Sequence, residues 1–289
     1  MKSLMKALTP NQQLWFANLV IHAVWADGRI ALSEFENFQR LLSLLKSFEQ
    51  KQDLLQRLEN HQVEAVTLLP DLDPSLLPIV YLEVLNFAIC DWDLAQEEQD
   101  FLSELADIFH FDQVYQASVM QWAQEGMRWQ EDQQLLLPRD LSLTEPRFSV
   151  DQLNEHQKRW YAEVLISSVM IEGLEGEVEV SLLQKALDFV EDPLVKQQLL
   201  AYVRANQSPI LVTPVNIPPL IVYQALFEVL QVFTLSDELS ARGVEYIGTY
   251  IEVCNLAPGL KERAILWCTK GILWRKKRKD LNPATYAQS

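Results

Sequence analysis

Glycine is scarce in this chain, at 8 residues in 289, while Leu, Gln, Glu and Ala abound. That balance favours helix, because such side chains lose little rotamer freedom there. No window shows sustained period-2 alternation, so strands have no sequence support. Cysteine is equally sparse. Cys90, Cys254 and Cys268 make an odd count, form no C-x-x-C pair and fall in apolar, helix-like stretches. Reduced, buried thiols in a cytosolic setting are the expectation. Basic charge is also short, with 24 Lys and Arg against 40 Asp and Glu and a formal charge of −16. Phosphates would be repelled, which excludes nucleic acid as the main partner.

Long apolar runs are missing too. The most apolar windows are residues 76–90 and 217–235. The first carries Glu83 and Asn86; the second carries Pro218, Pro219, Gln224, Glu228 and Gln231. Buried core helices are expected there rather than membrane spans. "MKSLMKALTPNQQ" has no apolar h-region, so export by a signal peptide is not expected. No G-x-S-x-G, P-loop, G-x-G-x-x-G or H-E-x-x-H signature occurs, and His22, His61, His110 and His156 are scattered. Carboxylate-bridged metal enzymes draw on Glu-x-x-His pairs, and the nearest spacing here, Glu59 with His61, is one residue short. A non-enzymatic protein is expected.

What is present is a globular composition, 49% hydrophobic and 22% charged, of a length that suits one large domain or two ordinary ones. The chain is written twice. A shift of 145 carries Trp15 onto Trp160 (160 − 15 = 145), aligning "NQQLWFANLVI" with "HQKRWYAEVLI". The same shift aligns "KQDLLQRLENHQ" with "KQQLLAYVRANQ", and "WAQEGMRW" with "WCTKGILW". One offset held over more than a hundred residues marks a tandem duplication. The expected organisation is a helical domain at 1–137, a linker at 138–145, a diverged copy at 146–279 and a tail at 280–289. A fainter repeat of 64 divides each unit again, placing Asp27 on Asp91 and Glu34 on Glu98 (91 − 27 = 98 − 34 = 64). The predicted fold class is all-α: two tandem helical bundles, each with two pseudo-symmetric halves.

The stretch "AVWADGRIALSEFENF", residues 23–38, imitates the second half of an EF-hand. Counting back from Asp27 and Gly28 puts Ala23 and Trp25 where oxygen ligands are required, so it is not one. Asp27 instead ends the inward stripe Trp15–Leu19–Ala23, and Glu34 opens the next one with Phe38, Leu41 and Leu45. Asp91 and Glu98 repeat the arrangement, so four carboxylates project from two helix corners toward the apolar side. Such acids repel one another and resist burial. Protonation, capping of helix N-termini and a bound cation are three remedies. Glu34 and Glu98 fall at N3 of helices starting after Ala31 and Ala95, where a carboxylate can accept from the cap's N–H. With hard oxygen donors and neither His nor thiolate, a cation would be Ca²⁺ or Mg²⁺.

"ADGRIALSEF" after an apolar helix, echoed by "CDWDLAQEEQDFL", resembles the TerB family of tellurite-resistance and stress-associated proteins, over residues 11–125. The resemblance implies an all-helical, cytoplasmic bacterial protein with a D-G-x-I-x-x-x-E corner in each half and acids implicated in metal binding. Carried over, those acids are Asp27, Glu34, Asp91 and Glu98, with Asp93, Glu172 and Glu179 as secondary candidates. The sequence departs from the pattern at Ala31 and Ala95, where the family caps with Ser or Thr, and at Trp92, which replaces the glycine. In the second unit, Ser236 and Gly243 replace the second acidic pair. A protein partner is expected, with unit two as its interaction surface.

Two further features stand apart. Trp122 and Trp129, like Trp267 and Trp274, flank a glycine and are expected to pack a closing helix onto each bundle. The basic run Arg275, Lys276, Lys277, Arg278 and Lys279 is favoured as a solvated helix end over contact with an anionic membrane surface.

Overall fold

The computed structural model describes residues 1–138, 141, 152–173, 177–213 and 215–281, without the side chains of 177–179, 181 and 185. The protein is all-α; among the described residues there is no strand. The helices are α1 (Lys2–Ala7), α2 (Pro10–Trp25), α3 (Leu32–Leu44), α4 (Phe48–Glu59), α5 (Leu77–Ala88), α6 (Gln96–Ile108) and α7 (Gln113–Glu131). After these come α8 (Glu155–Glu172), α9 (Glu177–Asp188), α10 (Pro193–Arg204), α11 (Pro219–Phe233), α12 (Ala241–Val253) and α13 (Leu260–Asp280). No described helix is long and apolar enough to cross a membrane.

Two compact units form, Met1–Arg128 with Lys277–Ser289, and Trp129–Lys276. Packing thus divides the chain elsewhere than the repeat does, which predicts 1–137 and 146–279. Within the second unit the Trp129 ring stacks on Trp267 at 4.5 Å and lies 5.5 Å from Trp274. Each indole N–H of the Trp129–Trp267 pair donates to the other residue's main-chain carbonyl, at 2.9 and 3.0 Å. Gly271 makes room, since a Cβ there would lie 2.5 Å from the Trp129 ring. In the first unit Lys277 pairs with Glu125 at 2.5 Å and Arg278 with Glu83 at 3.2 Å. These two members of the basic run are spent on the chain's own acids. Most of the expected 138–145 linker and 280–289 tail lies outside the described residues.

In unit one α2 is the central helix, packed on α5, α4 and α6. Thr9 caps it, Gln12 closes the capping box, and Pro10 supplies a helical φ where an N–H is not needed. Phe16, Leu19, Val20, Val84 and Leu85 are fully buried between these helices. In unit two α8 takes the same role against α9, α11, α12 and α10. Asn154 and Gln157 form its capping box.

The 145-residue offset reaches into local detail. Left-handed turns occur at Gly28 and Gly173 (φ 79° and 97°), at His61 and Asn206 (53° and 52°), and at His110 and Asn255 (59° and 51°). Residues 62–69 run without helix or strand along α2. Side chains of α2 grip this segment and the turn after it at three carbonyls: Trp15 Nε1 donates to Thr67 O at 2.8 Å, Gln12 Nε2 to Asp71 O at 3.1 Å, and His22 Nε2 to Glu64 O. In unit two Trp160 donates to Val212 O at 3.0 Å, Gln157 to Asn216 O at 2.5 Å, and Ser167 to Pro209 O at 3.0 Å. Every one of these positions is shifted by 145.

Candidate functional site: the acidic corners

The two corners of unit one are built alike. At the α2–α3 corner Asp27 Oδ1 accepts from Arg29 N at 2.9 Å, and Glu34 Oε2 accepts from Ala31 N at 2.6 Å. At the α5–α6 corner Asp91 Oδ1 accepts from Asp93 N at 3.0 Å, and Glu98 Oε2 accepts from Ala95 N at 2.7 Å. Each aspartate folds over its own turn, and each glutamate reaches back to the start of its helix. Both caps lack a side-chain acceptor, because the cap residue is alanine. Gly28 makes the first turn left-handed without cost, whereas Trp92 holds φ 67° at the matching place in the second.

Burial is unequal. Glu34 and Glu98 are 4% and 6% exposed. Asp27 is half-buried, with its Oδ2 3.4 Å from the exposed Arg29 guanidinium. Asp91 lies at the solvent edge, so the inward projection expected of all four acids holds fully only for the two glutamates. The reason is the turn: an aspartate bonded two residues ahead is held along the corner rather than into the bundle.

The corners nevertheless form one electrostatic site. Burial pushes Glu34 up to about 7, and the Asp91 and Asp27 charges add to that. Burial likewise raises Glu98 to about 8, aided by Glu34, Asp91 and Asp27. Asp91 is raised as well, by desolvation first and then by Asp93 and Asp27. The Cys90 thiol is hydrogen-bonded with Asn37 and Ser33 of α3, and burial lifts it to about 11. Asp27, Glu34, Asp91 and Glu98 thus act on one another through space. Asp93, exposed, accepts from its own neighbour Leu94 N at 2.9 Å.

As donors these oxygens suit a hard cation. Their placement does not gather them: among the described residues no three His, Cys, Asp or Glu side chains stand close enough to share a metal ion.

Unit two has answered the same crowding differently. Glu172 occupies the place of Asp27, and Ser236 the place of Asp91. Ser236 Oγ donates to Glu172 Oε2 at 2.8 Å, and Ser240 Oγ donates to Oε1 at 2.8 Å. Ser240, in the place of Ala95, also accepts from Gly243 N at 2.9 Å and so caps α12. Gly243, in the place of Glu98, leaves space for the carboxylate; a Cβ there would meet Glu172 Oε1 at 2.7 Å. The side chain of Glu179 lies outside the described residues. Ser240 was not singled out in the sequence, although Ser three residues before Gly243 at a helix start is a recognisable cap signal.

Comparison with protein-family models, curated proteins and solved structures finds no match for this chain.

Proposed function

We propose that this is a non-enzymatic helical protein akin to the TerB family, whose first unit takes up Ca²⁺ or Mg²⁺ at its twin acidic corners. Asp27 and Asp91 would be the principal ligands, with Glu34 and Glu98 as ligands or as caps that orient the turns. Unit two, having exchanged half of the acids, would serve a protein partner. A stress-linked cytoplasmic role, tellurite resistance included, follows from the resemblance at 11–125.

One observation carries the reading. In unit one Asp27, Glu34 and Asp91 all raise the Glu98 carboxyl, whereas at the same place in unit two a single described carboxylate is satisfied by two hydroxyls. A cation at the corners would offset the mutual repulsion of these acids once they ionise.

A second reading is favoured by the capping bonds of Glu34 and Glu98. On that reading the acids close helix corners and the chain is a scaffold or adaptor without metal.

Calorimetry separates the two. With CaCl₂ or MgCl₂ the wild type should take up an ion and melt at higher temperature, and Asp27→Asn/Asp91→Asn should do neither. No uptake, with equal melting in CaCl₂ and in EDTA, would leave the scaffold.

A further inference from the structure

Away from the corners, unit one contains a cavity of about 300 Å³ between α2, α4 and the extended segment. Its lining is mixed, with Trp15, Leu19 and Leu54 beside Asn18, Arg57 and Glu64. The Glu64 carboxylate is held by the Arg57 guanidinium and by Asn18 Nδ2 at 3.0 Å. Arg57 Nε also meets Asp53 Oδ2 at 2.8 Å, and Arg57 Nη1 lies 3.5 Å from Asn18 Oδ1. The Arg57 side chain is 27% exposed and that of Glu64 59%. The receptor is set into the protein while its occupant stands in water.

The second unit shows which of these groups the extended segment needs. Three equivalent side-chain bonds hold the carbonyls of Pro209, Val212 and Asn216 there. Yet Pro209 stands where unit one has Glu64, Tyr202 where it has Arg57, and Glu163 where it has Asn18. Glu163 pairs within its own helix, with Arg159 at 2.9 Å. Fastening the segment therefore requires no guanidinium–carboxylate pair. The carboxylate receptor is an addition peculiar to unit one.

We propose that Arg57 and Asn18 form a binding site for the carboxylate of a small organic acid whose short body lies in the cavity, with Glu64 as its displaceable internal occupant. A guanidinium fork matches a carboxylate in plane and spacing. The Glu64 side of this ion pair is exposed, so its carboxylate can exchange with an external one. A space of this size suits a small ligand anchored at one polar end. Asp53 stays on Arg57 Nε and leaves Nη1 for a single incoming carboxylate.

Titration calorimetry with sodium hexanoate on the full chain tests this. Glu64→Gln keeps the hydrogen bond to Asn18 within reach but withdraws the competing charge, so hexanoate should bind it about tenfold more tightly than the wild type. Arg57→Lys in the Glu64→Gln background should lose most of that affinity with an unchanged melting curve, and hexanol should not bind. Hexanoate binding unaffected by Arg57→Lys, or none to a folded Glu64→Gln protein, would overturn the site. The acetylated, amidated peptide Val-Glu-Ala-Val presents the same carboxylate from a chain. If it binds more tightly than hexanoate, the ligand is a partner's acidic side chain and the free-acid assignment is wrong.

Discussion

Ser240 Oγ lies 2.8 Å from Glu172 Oε1, across 68 residues of chain, while accepting from Gly243 N. One hydroxyl thereby starts a helix and satisfies a carboxylate from another. Its counterpart in unit one is Ala95, which can do neither.

Ala95→Ser should therefore stabilise unit one by about 1 kcal/mol, the usual worth of an N-cap, with added benefit if the hydroxyl also reaches Asp27. Ser240→Ala should cost about 1–2 kcal/mol, since a cap and a donor vanish together. Urea melts of both variants give the comparison. Destabilisation by Ala95→Ser would mean that the two corners differ in backbone as well as in side chains.

The raised glutamates set a pH dependence. In the folded chain Glu34 and Glu98 hold protons up to about 7 and 8, whereas an unfolded glutamate releases them near 4.5. The folded state thus binds more protons across that window, and stability declines as pH rises through it. Without divalent cations, the wild-type melting temperature should fall between about pH 5 and pH 8. Glu34→Gln/Glu98→Gln should flatten the curve, because the amide oxygens can still accept at the caps. A level wild-type profile would show that the charges are already neutralised.

Gly271→Ala should destabilise unit two by about 1–3 kcal/mol through overpacking. The added methyl would meet the Trp129 ring at 2.5 Å and Thr234 Cγ2 at 2.9 Å, and a ring has little room to yield. Trp129→Phe should cost a comparable amount by leaving the Trp267 carbonyl without its donor. If Gly271→Ala melts like the wild type, the close approach is not a tight one.

Much of this was legible before any coordinates. The helical class follows from composition and from the 3.6-residue spacing of Trp15, Leu19 and Ala23. Glu34 and Glu98 stand at N3, as their distance from Ala31 and Ala95 predicts, because capping is a contact between residues three apart. A glycine between two tryptophans suggests the close approach of another backbone, but at Gly271 the approaching group is an indole ring.

Other features depend on groups that the chain brings together from afar. The sequence by itself determined the helices, their duplication and the acids at each bend, since these rest on neighbours within a turn or two. Only the tertiary structure decided that Asp91 stays at the solvent edge, that two serines satisfy Glu172, and that Glu64 answers Arg57 beside a cavity. It also decided that packing parts the chain at Trp129. Charge, burial and ring contact act through space, so residues tens to more than a hundred positions apart fix their outcome.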